Sequence, residues 1–389
     1  MKGIFIKIIT GIAIIAIATY IIHSLSDDNS SIQTQLLVTP PEGIGFTRAD
    51  GPRSLVFPAD HGAHPDFQTE WWYYTGNLQT KDGRHFGYQL TFFRRALLPP
   101  DEVQGRLSLW STNQVFMAHF SLTDVDAGNF HYYERFSRAA ADLAGAQAPP
   151  YRVWLENWSV EQINKHQYLL QAAQDDIALE LILTDEKGPI LHGEKGYSRK
   201  GHEPGNASYY FSQTRLVSEG SVAIKDQRFT VVGNSWMDHE FSTSALSSGQ
   251  VGWDWFSLQL DDGSELMVFQ IRKDGKITDE LIDPNSSGTL IHADGSYSHL
   301  NFHDFEIIVH DTWKSPHTGA DYPAGWTINI PHADISLMVK PYLTDQELSL
   351  SFTYWEGAVR IDGFVRGQPV SGSGYAELTG YAGSMAGEF

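Results

Sequence analysis

The sequence predicts an all-β protein, and three observations predict it. Asp-Gly turn signals recur at Asp82-Gly83, Asp262-Gly263, Asp274-Gly275, Asp294-Gly295 and Asp362-Gly363. Each lies between segments rich in Val, Ile, Phe, Tyr or Trp, the pattern of a β-hairpin. Apolar and polar residues alternate in Leu258-Gln259-Leu260, in Ile335-Ser336-Leu337-Met338-Val339 and in Leu348-Ser349-Leu350-Ser351-Phe352, the period of a half-buried strand. Helical periodicity is scarce, and only the Ala-dense stretch from Ser137 to Ala148 predicts a short helix. Such spacing supports barrels or sandwiches.

Taken in order, residues 1–26 read as a signal peptide or signal anchor. Lys2 and Lys7 form a basic start, Ile8 to Ile22 is nearly all apolar within a run from Ile4 to Ile22, and Asp27 and Asp28 follow. This charge order places the remainder outside the cytoplasm, and the run approaches the ~20 residues that span a bilayer. Residues 27–57 are polar, with Pro40, Pro41, Gly43, Gly45, Gly51 and Pro52, and predict a linker. Beyond it, Trp71 to Leu78, a turn at Asp82-Gly83 and a return to Arg94 form one aromatic hairpin. Trp253 to Leu260, a turn at Asp262-Gly263 and a return to Arg272 form another. This weak repeat predicts a duplicated β-domain, 58–233 and 234–389, with the boundary near Val232 to Ser235.

Composition narrows the function. The chain has 389 residues, 47 acidic against 27 basic, for a net charge of −20. That opposes binding to nucleic acid or broad docking on anionic lipid, so membrane association is expected only through the N-terminal segment. Cys is absent, which excludes disulfides, thiol catalysis and a Cys-linked lipid anchor. Aromatics reach 13%, with 11 Trp, while charged residues are only 19%. Large rings at this density point to a lined apolar pocket.

The densest such stretch is Glu70-Trp71-Trp72-Tyr73-Tyr74. Period 2 puts Glu70, Trp72 and Tyr74 on one face and Trp71 and Tyr73 on the other. A carboxylate among rings suits the wall of an apolar cavity with a placed acid. The alternative is a strand packed on both faces, with Glu70 paired to an Arg.

His64-Pro65 with Glu70-Trp71-Trp72-Tyr73-Tyr74-Thr75-Gly76 resembles the opening motif of the carotenoid 1,2-hydratase and AttH-like proteins. Further motifs follow in order: Ala118-His119-Phe120-Ser121-Leu122-Thr123-Asp124, Gly196-Tyr197-Ser198-Arg199-Lys200, Ala207-Ser208-Tyr209-Tyr210-Phe211-Ser212 and Thr214-Arg215-Leu216. Then come Trp236-Met237-Asp238-His239-Glu240-Phe241, Gly252-Trp253-Asp254-Trp255-Phe256, Tyr354-Trp355-Glu356-Gly357 and Gly374-Tyr375-Ala376-Glu377-Leu378-Thr379-Gly380-Tyr381. Together they run from about residue 60 to the C-terminus. The resemblance implies two tandem lipocalin-like antiparallel barrels packed together, with an apolar pocket near their junction. It implies hydration of a carbon–carbon double bond in some relatives. It also implies secreted members labelled hydrolase.

Hydrating an alkene requires an acid able to protonate carbon, rings that tolerate the cation and a base for water. Asp254, between Trp253 and Trp255, is the expected acid, its pKa raised by desolvation. His239 is the expected base, and Glu70 the expected third group. Trp71, Trp72, Tyr74, Trp253, Trp255, Tyr354 and Tyr375 are the expected ligand wall. Because the two Trp of Trp253-Asp254-Trp255 share one face, Asp254 on the other has the alternative of an Arg partner. Glu356 and Glu377 are expected to serve the fold. His61 and His64 with Asp66 lack a fourth ligand, so no metal is expected, nor any cofactor. No G-x-S-x-G elbow supports a serine hydrolase. The expected partner is a hydrophobic small molecule. The rival reading is a carrier serving an envelope ABC-transport system.

Overall fold

The computed structural model describes residues 43–102, 112–243, 246–275 and 281–385. The apolar N-terminal segment and most of the linker lie outside them. No described helix is long and apolar enough to cross a membrane. Strands dominate, and no α-helix occurs among the described residues. Two sheets curl into a nearly closed barrel and a half-barrel.

The first sheet begins with β1 (Thr69–Gln79), β2 (His85–Ala96), β3 (Gln114–Asp124) and β4 (Asn129–Arg138). It continues through β5 (Ala144–Gln147), β6 (Arg152–Leu155), β7 (Trp158–Asn164), β8 (Gln167–Gln174) and β9 (Ile177–Asp185). The short β10 (Pro189–Leu191) and β11 (Tyr197–Arg199) flank the long β12 (Ala207–Ile224), and β13 (Gln227–Ser242) ends it. Its order is 4-3-2-1-13-12-9-8-7-6-5. The second sheet holds β14 (Gln250–Leu260), β15 (Glu265–Lys273), β16 (Ser287–Ile291), β17 (Tyr297–Leu300) and β18 (Glu306–Lys314). It closes with β19 (Asp321–Ile330), β20 (Ile335–Pro341), β21 (Glu347–Ser349), β22 (Thr353–Val365) and β23 (Gln368–Leu378). The pairings are antiparallel, including β1 with β13 and β14 with β23 at the centres of the two sheets.

The chain leaves the first sheet after Ser242 and enters the second at Gln250. The boundary expected near Val232 to Ser235 falls inside β13 instead. The repeat located the two aromatic hairpins but not the strand that closes the first sheet against β1.

Three of the five Asp-Gly signals are tight hairpin turns. In each, the glycine N–H bonds three residues back and its φ is left-handed, +92° at Gly83, +84° at Gly263 and +83° at Gly295. That conformation favours glycine. Asp274-Gly275 follows β15 just before the residues left undescribed. Asp362-Gly363 is no turn: it lies within β22. Gly363 is there for close approach, since a Cβ would stand 2.3 Å from the Ser336 carbonyl. The actual turn is a few residues on, at Arg366 and Gly367.

The helix expected near Ser137 to Ala148 is also absent. The chain runs out of β4, turns with Ala141 and Asp142 at left-handed φ, and starts β5. The small residues serve packing, because the Trp154 ring covers Gly145, where a Cβ would meet it at 2.6 Å.

Three apolar clusters follow from strand parity. Trp72, Tyr74, Phe92, Phe120 and Trp158 fill the barrel. Phe256, Leu258, Trp326 and Trp355 fill the half-barrel. Tyr73, Trp236, Trp255, Phe269, Ala358 and Tyr375 lie in a third cluster, between the outer faces of the two sheets. Strands β1 and β13 are therefore buried on both faces, and their sequences lose simple alternation.

Polar ties cross this seam. Asn77 donates to the Gly374 carbonyl at 2.9 Å, and Gln259 donates to the carbonyls of Thr214 and Ser235. Buried Glu265 accepts Lys187 at 2.7 Å and Arg215 at 2.5 Å. A Cβ on Gly87 would sit 2.5 Å from that of Ala358, so these two small residues set the spacing. Gly87→Val is expected to cost about 1–3 kcal/mol by overpacking the seam. Urea unfolding of the variant checks this.

Candidate functional site

The same parity places the site. On β1, Trp71 and Tyr73 face the seam while Glu70, Trp72 and Tyr74 face the barrel interior. On β13, Asp238 and Glu240 face the seam and His239 the interior. On β14, Trp253 and Trp255 face the seam and Asp254 the interior of the half-barrel. A cavity of about 900 Å³ of empty space, mouth included, lies in the seam. Its aromatic wall includes Trp71, Tyr73, Phe93, Trp253, Trp255 and Phe269, with Tyr210 and Tyr354. Set among these rings are four carboxyls, Asp238, Glu240, Glu356 and Glu377, and one cation, Lys200.

Each carboxyl has a different environment. Lys200 pairs with Glu240 at 3.1 Å. Asp238 accepts Tyr210 Oη at 2.6 Å, Trp236 Nε1 at 2.6 Å and the Ser212 hydroxyl. Burial still pushes its pKa up to about 7, against those three donors and with help from the charge of Glu240. Glu377 accepts only a 3.3 Å contact from Trp253 Nε1. Burial, with the nearby charges of Asp238 and Glu240, pushes it too up to about 7.

Glu356 stands directly opposite Glu377 in the β22–β23 register, so the two carboxyls share one face as direct cross-strand neighbours. Neither oxygen of Glu356 has a hydrogen-bond partner. The Tyr73 and Tyr354 hydroxyls lie beside it without completing a regular hydrogen bond. Burial and the adjacent Glu377 raise its pKa well above the usual carboxylate range. Two like carboxyls in one dry site cannot both ionise at neutral pH, so at least one holds a proton.

These raised values fix a pH dependence. A group whose pKa is higher folded than unfolded stabilises fully at low pH and loses that contribution as pH climbs through its folded pKa. For Asp238 and Glu377 the window runs from about 4 to 7. Thermal stability is expected to fall from pH 5 to pH 8. Glu377→Gln, which removes the ionisation penalty, is expected to stabilise at pH 8 by on the order of 1–3 kcal/mol. Melting curves at both pH values check it.

The expected trio is divided. His239 and Glu70 do meet: His239 Nε2 lies 2.8 Å from Glu70 Oε1, fully buried. They sit inside the barrel, away from the seam cavity. Glu70 also holds Arg94 Nε at 2.8 Å and His64 Nδ1 at 2.7 Å, and His64 Nε2 reaches Asp60 at 2.9 Å. Burial opposes the charge on Glu70, yet Arg94, His239 and His64 hold its pKa well below normal. The Arg-paired alternative is therefore the one realised. Asp254 meets the same fate in the half-barrel, 2.9 Å from Arg272 Nε and 3.0 Å from Tyr381 Oη. Burial raises its pKa against both partners. His239 and Asp254 share neither a partner nor a cavity, because each points away from the seam.

Of the expected ligand wall, Trp71, Trp253, Trp255 and Tyr354 line the cavity. Trp72 and Tyr74 do not: Trp72 donates to the His61 carbonyl and Tyr74 bonds Tyr151 within the barrel. Tyr375 packs in the seam cluster but is not part of the cavity lining. Glu356 and Glu377, expected to serve the fold, are carboxyls that face the cavity. Asp238, Glu240, Tyr73 and Tyr210 join them. For most of these the available signal was positional, since Asp238, Glu240 and Tyr73 each lie one residue away from a residue singled out for chemistry.

Among the described residues, His64, Glu70 and His239 offer ligand atoms within 4.8 Å of one another. The Arg94 guanidinium on the same carboxylate opposes a cation there. The cluster is otherwise tied together by its own charge pairs and hydrogen bonds, with His239 Nδ1 left without a partner.

Comparison with known proteins agrees with the fold. The AttH-like family profile matches residues 48–381. A crystal structure described as a putative AttH from Nitrosomonas europaea shares 34% identity. It covers 86% of this chain and 100% of its own, with a TM-score of 0.75. Kievitone hydratase from Nectria haematococca shares 14% identity over 87% of this chain and 98% of its own, TM-score 0.63. CghA shares 11% over 87% and 97%, TM-score 0.51. No curated protein shows significant similarity. Motif order, family profile and the 34%-identical structure agree, and the chain belongs to the AttH-like family.

Proposed function

We propose that the seam cavity binds a hydrophobic, polyene- or isoprenoid-like molecule and adds water across one of its carbon–carbon double bonds. One observation carries this: Glu356 and Glu377 face each other on an aromatic wall, with both Glu356 oxygens unpartnered. The Glu356 carboxyl gives its proton to one alkene carbon as the π pair forms the new C–H bond. The cation left on the other carbon lies among indole faces, each worth about 0.5–2 kcal/mol to a nearby cation. A water oxygen closes the C–O bond and passes its proton to the Glu377 carboxylate, leaving the alcohol. Kievitone hydratase shares the fold, but the reading rests on these carboxyls and not on that likeness.

The test uses farnesol as an isoprenoid probe in isotope-labelled water. An alcohol carrying the label supports the reading. Farnesol bound and recovered unchanged overturns it in favour of the carrier, for which an envelope ABC-transport system is the proposed context. The proposed location is outside the cytoplasm, supported by the basic start of Lys2 and Lys7 and by Asp27 and Asp28 after the apolar run. Finding the chain in the cytosolic fraction removes that part.

A further inference from the structure

His119, from the motif Ala118-His119-Phe120, has no part in the chemistry above, yet it joins the cavity wall to the surface. It lies on β3, wholly buried. Its Nδ1 is 2.8 Å from Tyr354 Oη across the seam, and its Nε2 is 3.0 Å from Glu134 Oε1. Glu134 is partly exposed and also accepts the Ser351 N–H at 3.2 Å and the Ser351 hydroxyl at 2.5 Å. At the inner end, Tyr354 and Glu356 are two residues apart on the cavity face of β22. The rings of Phe93 and Phe352 pack around the imidazole at 5.2 and 5.1 Å.

The polarity of the chain is consistent from end to end. Burial lowers the pKa of His119 despite Glu134, so the ring is neutral near pH 7. Burial raises that of Glu134, but hydrogen bonds from His119 and Ser351 outweigh it and keep it a carboxylate. An anionic acceptor at Nε2 assigns the N–H to that nitrogen and leaves Nδ1 to accept the Tyr354 hydroxyl. The Tyr354 oxygen lies beside Glu356 without a regular hydrogen bond to it at rest, and is free to accept from the Glu356 carboxyl when the two close. Both nitrogens of a buried imidazole need partners; here the second partner is not a buried carbonyl but Glu134, which reaches solvent.

We propose that His119 is a relay residue that exchanges the Glu356 proton with solvent through Tyr354 and Glu134. In the outward run, Glu356 O–H passes its proton to Tyr354, Tyr354 to Nδ1, and Nε2 to Glu134, which releases it to water. Each intermediate group loses one proton as it gains another, so net charge changes only at Glu356 and in the solvent, while His119 is left as the Nδ1–H tautomer. A solvent proton returns by the same bonds in reverse. The relay rests on the proposed role of Glu356 as the acid and brings that acid into equilibrium with the bulk.

The experiment needs no substrate. The infrared band of a protonated buried carboxyl is assigned to Glu356 by its loss in Glu356→Gln. Its shift is then timed after mixing the full chain into heavy water. His119→Gln and Glu134→Gln are expected to slow the shift about tenfold or more. Imidazole added to His119→Ala is expected to restore it. Loosening of the seam would admit water and speed exchange, so a structural role predicts the opposite sign. An unchanged or faster shift in His119→Gln, with the band intact, overturns the relay and leaves the acid standing. No such band in the wild type overturns both.

Discussion

Glu356→Gln is expected to abolish hydration of the farnesol probe while leaving its binding intact. The amide keeps the shape and neutrality of the protonated acid but has no proton to give to carbon. General acid catalysis contributes about 10²–10⁴-fold. The loss should therefore reach about 10³-fold in turnover, with the probe's dissociation constant nearly unchanged. Stability should hold or rise slightly, because the amide carries no ionisation penalty at alkaline pH. Turnover and equilibrium titration on one preparation separate the two effects. A variant that loses binding and turnover together would make Glu356 a wall residue, and the chemistry would have to move to Asp238.

Arg94→Met is expected to give the largest loss of stability, about 3–5 kcal/mol, because it strands a buried charge. Arg94 is 2% exposed. It donates to Glu70, to Gln114 and to the carbonyls of His64 and Phe67. Removing it leaves the Glu70 carboxylate facing only His64 and His239. Glu70→Gln should cost a comparable amount, because it strands the buried Arg94 guanidinium with only the neutral acceptors of Gln114, His64 and Phe67. The pH signature is opposite to that of the cavity acids. The depressed pKa of Glu70 contributes stability above its unfolded value and loses it as pH falls toward acid. Denaturant titrations at pH 3 and 7, on either side of the unfolded carboxylate value, test both variants.

Much of this was readable in the chain. Alternation and Asp-Gly turns are local and marked the strands. The ordered motifs marked the family and a pocket at the junction, and four of the seven expected wall residues line it. The face was harder. In a sheet with one wet side, the apolar face is the inner face. Here β1, β13 and β14 are dry on both sides, so Trp71 and Trp72 carry equal hydrophobic signal. Only the second sheet lying against the back of the first decides between them. The same ambiguity moved the acids to the opposite face, from Glu70 and Asp254 to Asp238, Glu356 and Glu377. Charged residues facing the interior found Arg partners, and those facing the seam mostly did not. That distinction depends on Arg94 and Arg272, which are 24 and 18 residues distant along the chain.

The shared carboxylate of Glu265, held from the other sheet by Lys187 and Arg215, bears on how the molecule comes apart. Parting the sheets breaks this ion pair and exposes the apolar seam of Tyr73, Trp236 and Trp255 in the same step, so each sheet loses support when the other unfolds. Calorimetry should therefore record one endotherm for residues 43–385, with the calorimetric and van't Hoff enthalpies equal. Melting the half-barrel alone would split that peak in two. A hydrophobic occupant of the seam would raise the single transition as a whole, in proportion to its binding free energy.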